Sequence, residues 1–447
     1  MKFFKLFFVF LFVSQLSAQK SQFELKANFS HVSIPFRLVD NLIIVKASIN
    51  RTPVNLIFDT GVSQTILINI KSLDSLSFKS VKKKNFTGIG IDNPVIPGLV
   101  TTDNDLQLSG KIFNRKAKIF LITGVEFNFQ EHLGIDINGF IGGELIKDYI
   151  VLVDYQNKKL HFYKHSFFSK IDLKKYQSFD LNIFDNKPYI TADVKVEKKS
   201  KPQKLNFLID AGNSDALWIF KSEKFRLPRH IKTLNDYFGL GFSGEIEGLR
   251  FKLKRFSFSQ KLSLKNIYTA LPDTLYFNNI IKRYPFDGII GNEILRRFYV
   301  IFDYKHQKLY LKKNRRVYYN KFLFNDTGMY LIYDGKIPVK DENISNMTFK
   351  YSSDTNKPDI IFKNIKTYKY KKVDRIVIHY IRKNSPADRA GLIPGDVLLE
   401  INGESVYKYD LAELEDKFFY HKSKHLKFLI KRKGLILEFT VFNKKQL

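Results

Sequence analysis

Alternating apolar and polar residues, β-branched side chains and glycine-marked turns run through residues 31–313, the pattern of short strands rather than of helices. The pattern also repeats. "PVNLIFDTGVSQTILI" at 53–68 returns as "KLNFLIDAGNSDALWIF" at 204–220, and "GFIGGELIKDYIVLVDYQNKKLHFYK" at 139–164 returns as "GIIGNEILRRFYVIFDYKHQKLYLKK" at 288–313. Asp59 pairs with Asp210 and Gly142 with Gly291. Between them Gly88-Ile89-Gly90 pairs with Gly239-Leu240-Gly241. Ordered landmarks at near-equal spacing predict two homologous β lobes, 31–165 and 178–313. Each lobe ends in an Asp-Tyr run, at Asp154 and Asp303, that reads as a structural turn between two strands.

Beyond 313 the pattern changes. In "KNSPADRAGLIPGDVLLEINGESV" Ser385 caps a short helix with Pro386 at its first position, and Gly391 ends it. Pro394-Gly395-Asp396 turns the chain into the strand "VLLEI", and Asn402-Gly403 is a hairpin turn. These features predict a third, smaller module over 322–447. It carries a polar insertion near 340–370, a helix at "DLAELEDKFFY" and two final strands, "HLKFLIKR" and "LILEFTVF".

At the other end, Lys2 and Lys5 precede an apolar run from Leu6 to Val13 and a small-residue exit at Ser17-Ala18. Residues 1–18 therefore read as a secretory signal peptide, with an uncleaved anchor as the alternative because Leu16 is a poor residue before such a site. The expected location is exported: periplasm, cell envelope or outside the cell. No later stretch is long and apolar enough to span a bilayer as a helix.

The 447 residues are 44% hydrophobic and 26% charged, with 43 Phe and 23 Tyr, which suits globular domains with sizeable cores. Without cysteine there are no disulfides, no thiol catalysis and no cysteine-ligated zinc. The net charge is +30, but the lysines are spread along the chain in short runs such as "VKKKN". That distribution predicts a solvated basic surface and no nucleic-acid partner, and it favours contact with anionic polymers or membranes of the envelope.

Two β lobes that each give an Asp-x-Gly loop after an apolar strand, then an apolar-apolar-Gly run, resemble the pepsin-like and retroviral-type aspartic proteases. The motifs are "DTG" at 59–61, "DAG" at 210–212, "FIG" at 140–142 and "IIG" at 289–291. The resemblance implies a mainly β fold of two acid-protease-like barrels with a cleft between them. It implies Asp59 and Asp210 as the catalytic pair, Gly61 and Gly212 in tight loops, Thr60 as the hydroxyl that ties the loops together, and polypeptides as substrates. Neighbouring carboxylates cannot both ionise cheaply and so share a proton. Such a pair activates water and polarises a peptide carbonyl without metal or cofactor. Ala211 departs from the family pattern, which has Thr or Ser there. Ser63 and Ser214 are candidates to support the carboxylates. The Gly-x-Gly segments suit flaps over the cleft, with Phe86, Gly88 and Gly90 in the first lobe and Tyr237, Phe238, Gly239 and Gly241 in the second.

The string at 383–406 resembles a bacterial PDZ domain, a small α+β fold. That resemblance implies capture of peptide C-termini at a sheet edge. Gly328, Met329, Tyr330 and Leu331 are the candidate carboxylate loop and binding strand, and the helix at 410–420 is the groove wall. A third "DTG" at 326–328 has no following apolar-apolar-Gly run and reads as part of this module. The spaced pairs His161/His165 and His421/His425 have no obvious third ligand, so no metal is expected. A rival reading, a protease-like peptide-binding protein with weak or lost catalysis, draws on Ala211.

Overall fold

The computed structural model describes residues 22–26, 29–68, 76–87, 95–123, 128–241, 244–273, 286–350, 360–419 and 424–447. The expected signal peptide, Gly88, Gly90 and His421 lie outside them. The described chain is mainly β, two closed barrels followed by a smaller C-terminal module.

In each barrel one of two parallel strand pairs carries the Asp loop. In the first, Thr52–Asp59 runs beside Gly139–Gly142 with Asp59 opposite Gly142. In the second, Gln203–Ile209 runs beside Gly288–Ile290. Parallel neighbours need a long crossover, and the intervening strands supply it. Val54, Leu56 and Phe58 alternate into the first core, as Leu205, Phe207 and Ile209 do in the second. Glycine ends the second member of each pair for a steric reason. A Cβ on Gly142 would fall on the main-chain oxygen of Asp59, and one on Gly291 on that of Asp215.

The barrels share a six-stranded sheet. Ile150–Asp154 pairs antiparallel with Phe298–Asp303, Leu152 standing opposite Ile301. Lys159–Tyr163 and His31–Pro35 extend it on one side, Lys308–Lys313 and Gln177–Asp180 on the other. One apolar core runs through both barrels and this sheet, including Phe58, Phe162, Phe207, Phe256 and Phe302. Each such phenylalanine contributes about 1.5–3 kcal/mol by burial, which is how a chain without disulfides is held.

In the module the Ser385 side chain accepts from the Asp388 N–H, with Pro386 next in the chain. Gly391 (φ +85°) and Gly403 (φ +78°) take left-handed turns. The helix is Leu411–Phe419, and the final strands are His425–Arg432 and Leu435–Phe442. The polar insertion forms strands. Met329–Lys350 and Ile360–Ile381 form one long hairpin that stays paired out to Lys350 opposite Ile360. Its Ile, Thr and Tyr content suits strands, and pairing satisfies main-chain groups that a polar loop would leave to water. No described helix is long and apolar enough to cross a membrane.

Candidate active site

Asp59 and Asp210 meet where the barrels touch. The Gly61 N–H donates to Asp59 Oδ1 at 2.6 Å and the Gly212 N–H to Asp210 Oδ1 at 2.8 Å. Each glycine also faces the opposite carboxylate. A Cβ on Gly61 would lie 2.9 Å from Asp210 Oδ1, and one on Gly212 would overlap the Asp59 carboxylate. Any larger residue would push the pair apart, so both glycines are fixed by close approach rather than by turn conformation.

Thr60 is fully buried. Its Oγ1 donates to the Ile209 carbonyl (2.6 Å) and accepts from the Ala211 N–H (2.9 Å), so it ties the first loop to the second. Ala211, 1% exposed, returns no such bond from a side chain. A different tie stands beside it. Tyr155 OH, from the first lobe, donates to Asn292 Oδ1 (2.6 Å), and Asn292 Nδ2 donates to the Ala211 carbonyl (2.6 Å). In the repeat, Asn292 stands where the first lobe has Gly143, and Tyr155 matches Tyr304. Tyr304 OH is buried without a hydrogen-bond partner. Neither Asn292 nor Tyr155 stood out in the sequence as a site residue, although the repeat alignment marks Gly143/Asn292 as a mismatch.

Burial raises Asp59 well above the ordinary carboxylate range, and Asp210's charge and hydrogen bond add to it. Burial raises Asp210 as well, opposed by its hydrogen bonds from Asp59 and from the Gly212 and Asn213 main chain. Lys187 lowers both. Burial thus raises both carboxyls, and at this distance the two titrate as one coupled pair. The Ser214 side chain bonds Asp40 rather than Asp210, and the Ser63 carbonyl accepts from Gln64. At Asp210 main-chain N–H groups take the supporting part expected of Ser214, because the tight loop turns its amides inward.

A cleft of about 1370 Å³ contains both carboxylates. Tyr237, Phe238 and Gly239 line it, on the strand Thr233–Gly241, whose last residue is Gly241. Phe86 lies on the strand Lys82–Thr87 of the first lobe. Tyr237 does not hang free as a flap ring. It is 6% exposed and packs against Tyr330, His379 and Tyr380 of the module.

Beside Tyr237, Asp236 is buried and fully engaged. It accepts from Arg250 Nε (2.6 Å), Arg382 Nε (2.9 Å) and Tyr330 OH (2.8 Å), while Arg250 also reaches Asp215 at 2.9 Å. One carboxylate of the second lobe thus reaches the module through Arg382 and Tyr330, while Arg250 holds it from its own lobe. On the first-lobe side, Gly134 lies against the Tyr333 ring and His132 packs edge-on to His379. The module is seated on both barrels.

This seating alters the expected peptide loop. Asn325 Oδ1 accepts from the Gly328 N–H (3.0 Å), and Thr327 Oγ1 accepts from the Met329 N–H (3.4 Å). Both residues are buried, so these amides are spent inside the fold. Tyr330 is committed to Asp236. Leu331 is the member of the four whose main-chain group faces the helix, where it bonds Glu415. The third "DTG" is structural: Asp326 is buried and accepts from the Gln446 N–H.

The histidines separate. His161 Nδ1 lies 3.2 Å from His31 Nε2, whereas His165 faces Asp303, with His306 Nδ1 2.7 Å from Asp303 Oδ2. His165, Asp303 and His306 bring three ligand atoms within 4.8 Å of one another. The matching turn of the first lobe has Asn157 donating to Asp154 in the same way, so His306 is accounted for as a turn residue. His425 packs edge-on to Phe442.

The family model described as a PDZ domain matches residues 377–429. No curated protein matches the chain by sequence. Among solved structures, the chain is similar to the crystal structure of aspartic proteinase from Irpex lacteus. The match has 13% identity and a TM-score of 0.40, and it covers 63% of this chain and 97% of that one.

Proposed function

We propose that the protein is an exported aspartic endopeptidase. The observation that carries this reading is the Asp59–Asp210 pair, each carboxylate against the other loop's glycine and raised by burial. In this mechanism the ionised carboxyl of the pair takes a proton from a water held between the two while the protonated one donates to the peptide carbonyl. The carbon becomes a tetrahedral diol. Its collapse breaks the C–N bond as the amide nitrogen is protonated, and the pair returns to its starting state. The reaction needs no covalent intermediate.

Ala211 favours the rival reading of a peptide-binding protein with weak catalysis. The Tyr155–Asn292–Ala211 tie weakens that argument, because it holds the same loop from the same lobe. Digestion of a peptide library by wild type and Asp59→Asn separates the two. Cleavage by wild type alone supports the peptidase, and peptide retention without cleavage by either supports the rival. Export rests on the N-terminal sequence, and N-terminal sequencing that finds Met1 retained on the mature protein overturns it. The PDZ module takes extended peptide, and the +30 charge draws the exported protein to anionic envelope surfaces.

A further inference from the structure

The cleft is not bounded by the barrels alone. The same continuous cavity that holds Asp59 and Asp210 is lined by Leu331 and Tyr333 of the module's first strand, by His379, and by Leu411, Ala412 and Glu415 of its helix. That strand is the last in its sheet, with Ile360–Ile381 on one side and no strand on the other among the described residues. An unpaired sheet edge facing a helix is a template for an extended chain. Here the template opens into the chamber of the carboxyl pair.

We propose that the module forms the far end of the substrate cleft: one extended polypeptide lies along its edge strand and helix while one of its bonds sits at the dyad. The inference rests on the peptidase reading. Three observations support it. First, the module is fixed rather than tethered, since Asp236, Arg250 and Arg382 are each under 10% exposed and join it to the cleft wall. A buried network of this kind sets a constant distance between groove and dyad. Second, the loop that would capture a chain end has its Gly328 and Met329 amides satisfied internally. The groove is thus built to accept a passing chain rather than a terminal carboxylate. Third, the Leu331 main-chain group is held by Glu415. Burial, with the charge of Asp40 across the cleft, pushes this carboxyl up to about 8. An incoming strand exchanges one hydrogen bond for another there.

The substrate class is therefore an unfolded polypeptide segment long enough to span both regions, and short peptides are poor substrates. The test compares peptides with one central sequence, about six and about fourteen residues long, the longer reaching roughly 45–50 Å when extended. Full-length protein is used. Ala412 is exposed on the helix and lines the cavity, so Ala412→Trp fills the groove without disturbing a core. The expected result is that wild type prefers the long peptide and that Ala412→Trp lowers the long-to-short ratio of kcat/KM about tenfold, mainly through KM. Binding of both peptides to Asp59→Asn with and without Ala412→Trp is the second measurement, and it should show the same loss for the long peptide. An unchanged ratio and unchanged binding overturn the inference. If wild type cleaves neither peptide, the peptidase reading falls, and the binding comparison still decides whether the module is part of the cleft.

Discussion

Thr60 and Ala211 occupy matched places in the two lobes, as do Gly143 and Asn292, and Leu42 and Lys187 after the turns at Asp40-Asn41 and Asp185-Asn186. The first Asp loop gives the second a hydroxyl bond through Thr60, Ala211 has no hydroxyl to return one, and the first lobe also sends Tyr155 across to Asn292. The second lobe brings a cation near the pair where the first has an apolar side chain. A duplicated architecture can thus keep its two carboxyls while dividing their support unequally. The inequality gives the two carboxyls different surroundings, which a symmetric pair would acquire only on binding substrate.

The largest effect expected is chemical. Asp59→Asn and Asp210→Asn should each lower peptide cleavage by about 10²–10⁴-fold, as loss of an acid or base does. Their effects on stability should differ from their effects on rate. The raised carboxyl of Asp59 favours folding fully below its ordinary value of 3.8, and that contribution is lost as pH rises through the raised value. Asp59→Asn removes this loss, so at neutral pH the inactive variant should melt at the wild-type temperature or above it. A lower melting temperature would contradict the burial argument.

The ties come next. Tyr155→Phe leaves Asn292 short of a donor and should cost about 1 kcal/mol in denaturant unfolding. Tyr304→Phe removes a hydroxyl that bonds nothing and should be neutral within a few tenths of a kcal/mol. Equal costs would mean that the lobes are braced alike. Lys187→Met removes the cation that lowers both carboxyls, so both limbs of the kcat/KM–pH profile should move to higher pH. A fixed profile would place Lys187 outside the site. Smallest is Ala211→Ser, which adds one hydroxyl and should gain no more than about 1 kcal/mol if it finds a carbonyl across the interface. Thermal melting reads it, and a loss of stability would show that the site is packed for a methyl group.

The repeat, the Asp loops, the invading glycines and the module's turn chemistry were legible because each is local, with a residue type dictated by its own backbone or its own strand. Asp59 stood out as a charge at the end of an apolar run. The Tyr155–Asn292 tie and the Asp236–Arg250–Arg382 junction were not legible, since partners 137 and 146 residues apart leave no spacing rule. Tyr237 illustrates the limit. Its position in the repeat matches a flap, but the module that covers it comes from nearly a hundred residues later. Ser214 shows another: proximity in sequence to Asp210 says nothing about which carboxylate a hydroxyl will face. The polarity of the 340–370 segment left its conformation open, because strand pairing is made by main-chain groups whatever the side chains are.

The shared sheet also governs how the chain reaches this state. Ile150–Asp154 lies between Lys159–Tyr163 and Phe298–Asp303, so its second neighbour arrives only after about 150 further residues have been made and, if the protein is exported, translocated. Until then the first barrel presents a bare, apolar strand to whatever is nearby, the condition that invites association between nascent chains. Contacts of such wide separation slow folding. Production of the first barrel alone should therefore yield aggregates, and the interval between release of its last strand and arrival of Phe298–Asp303 is when a chaperone has most to protect.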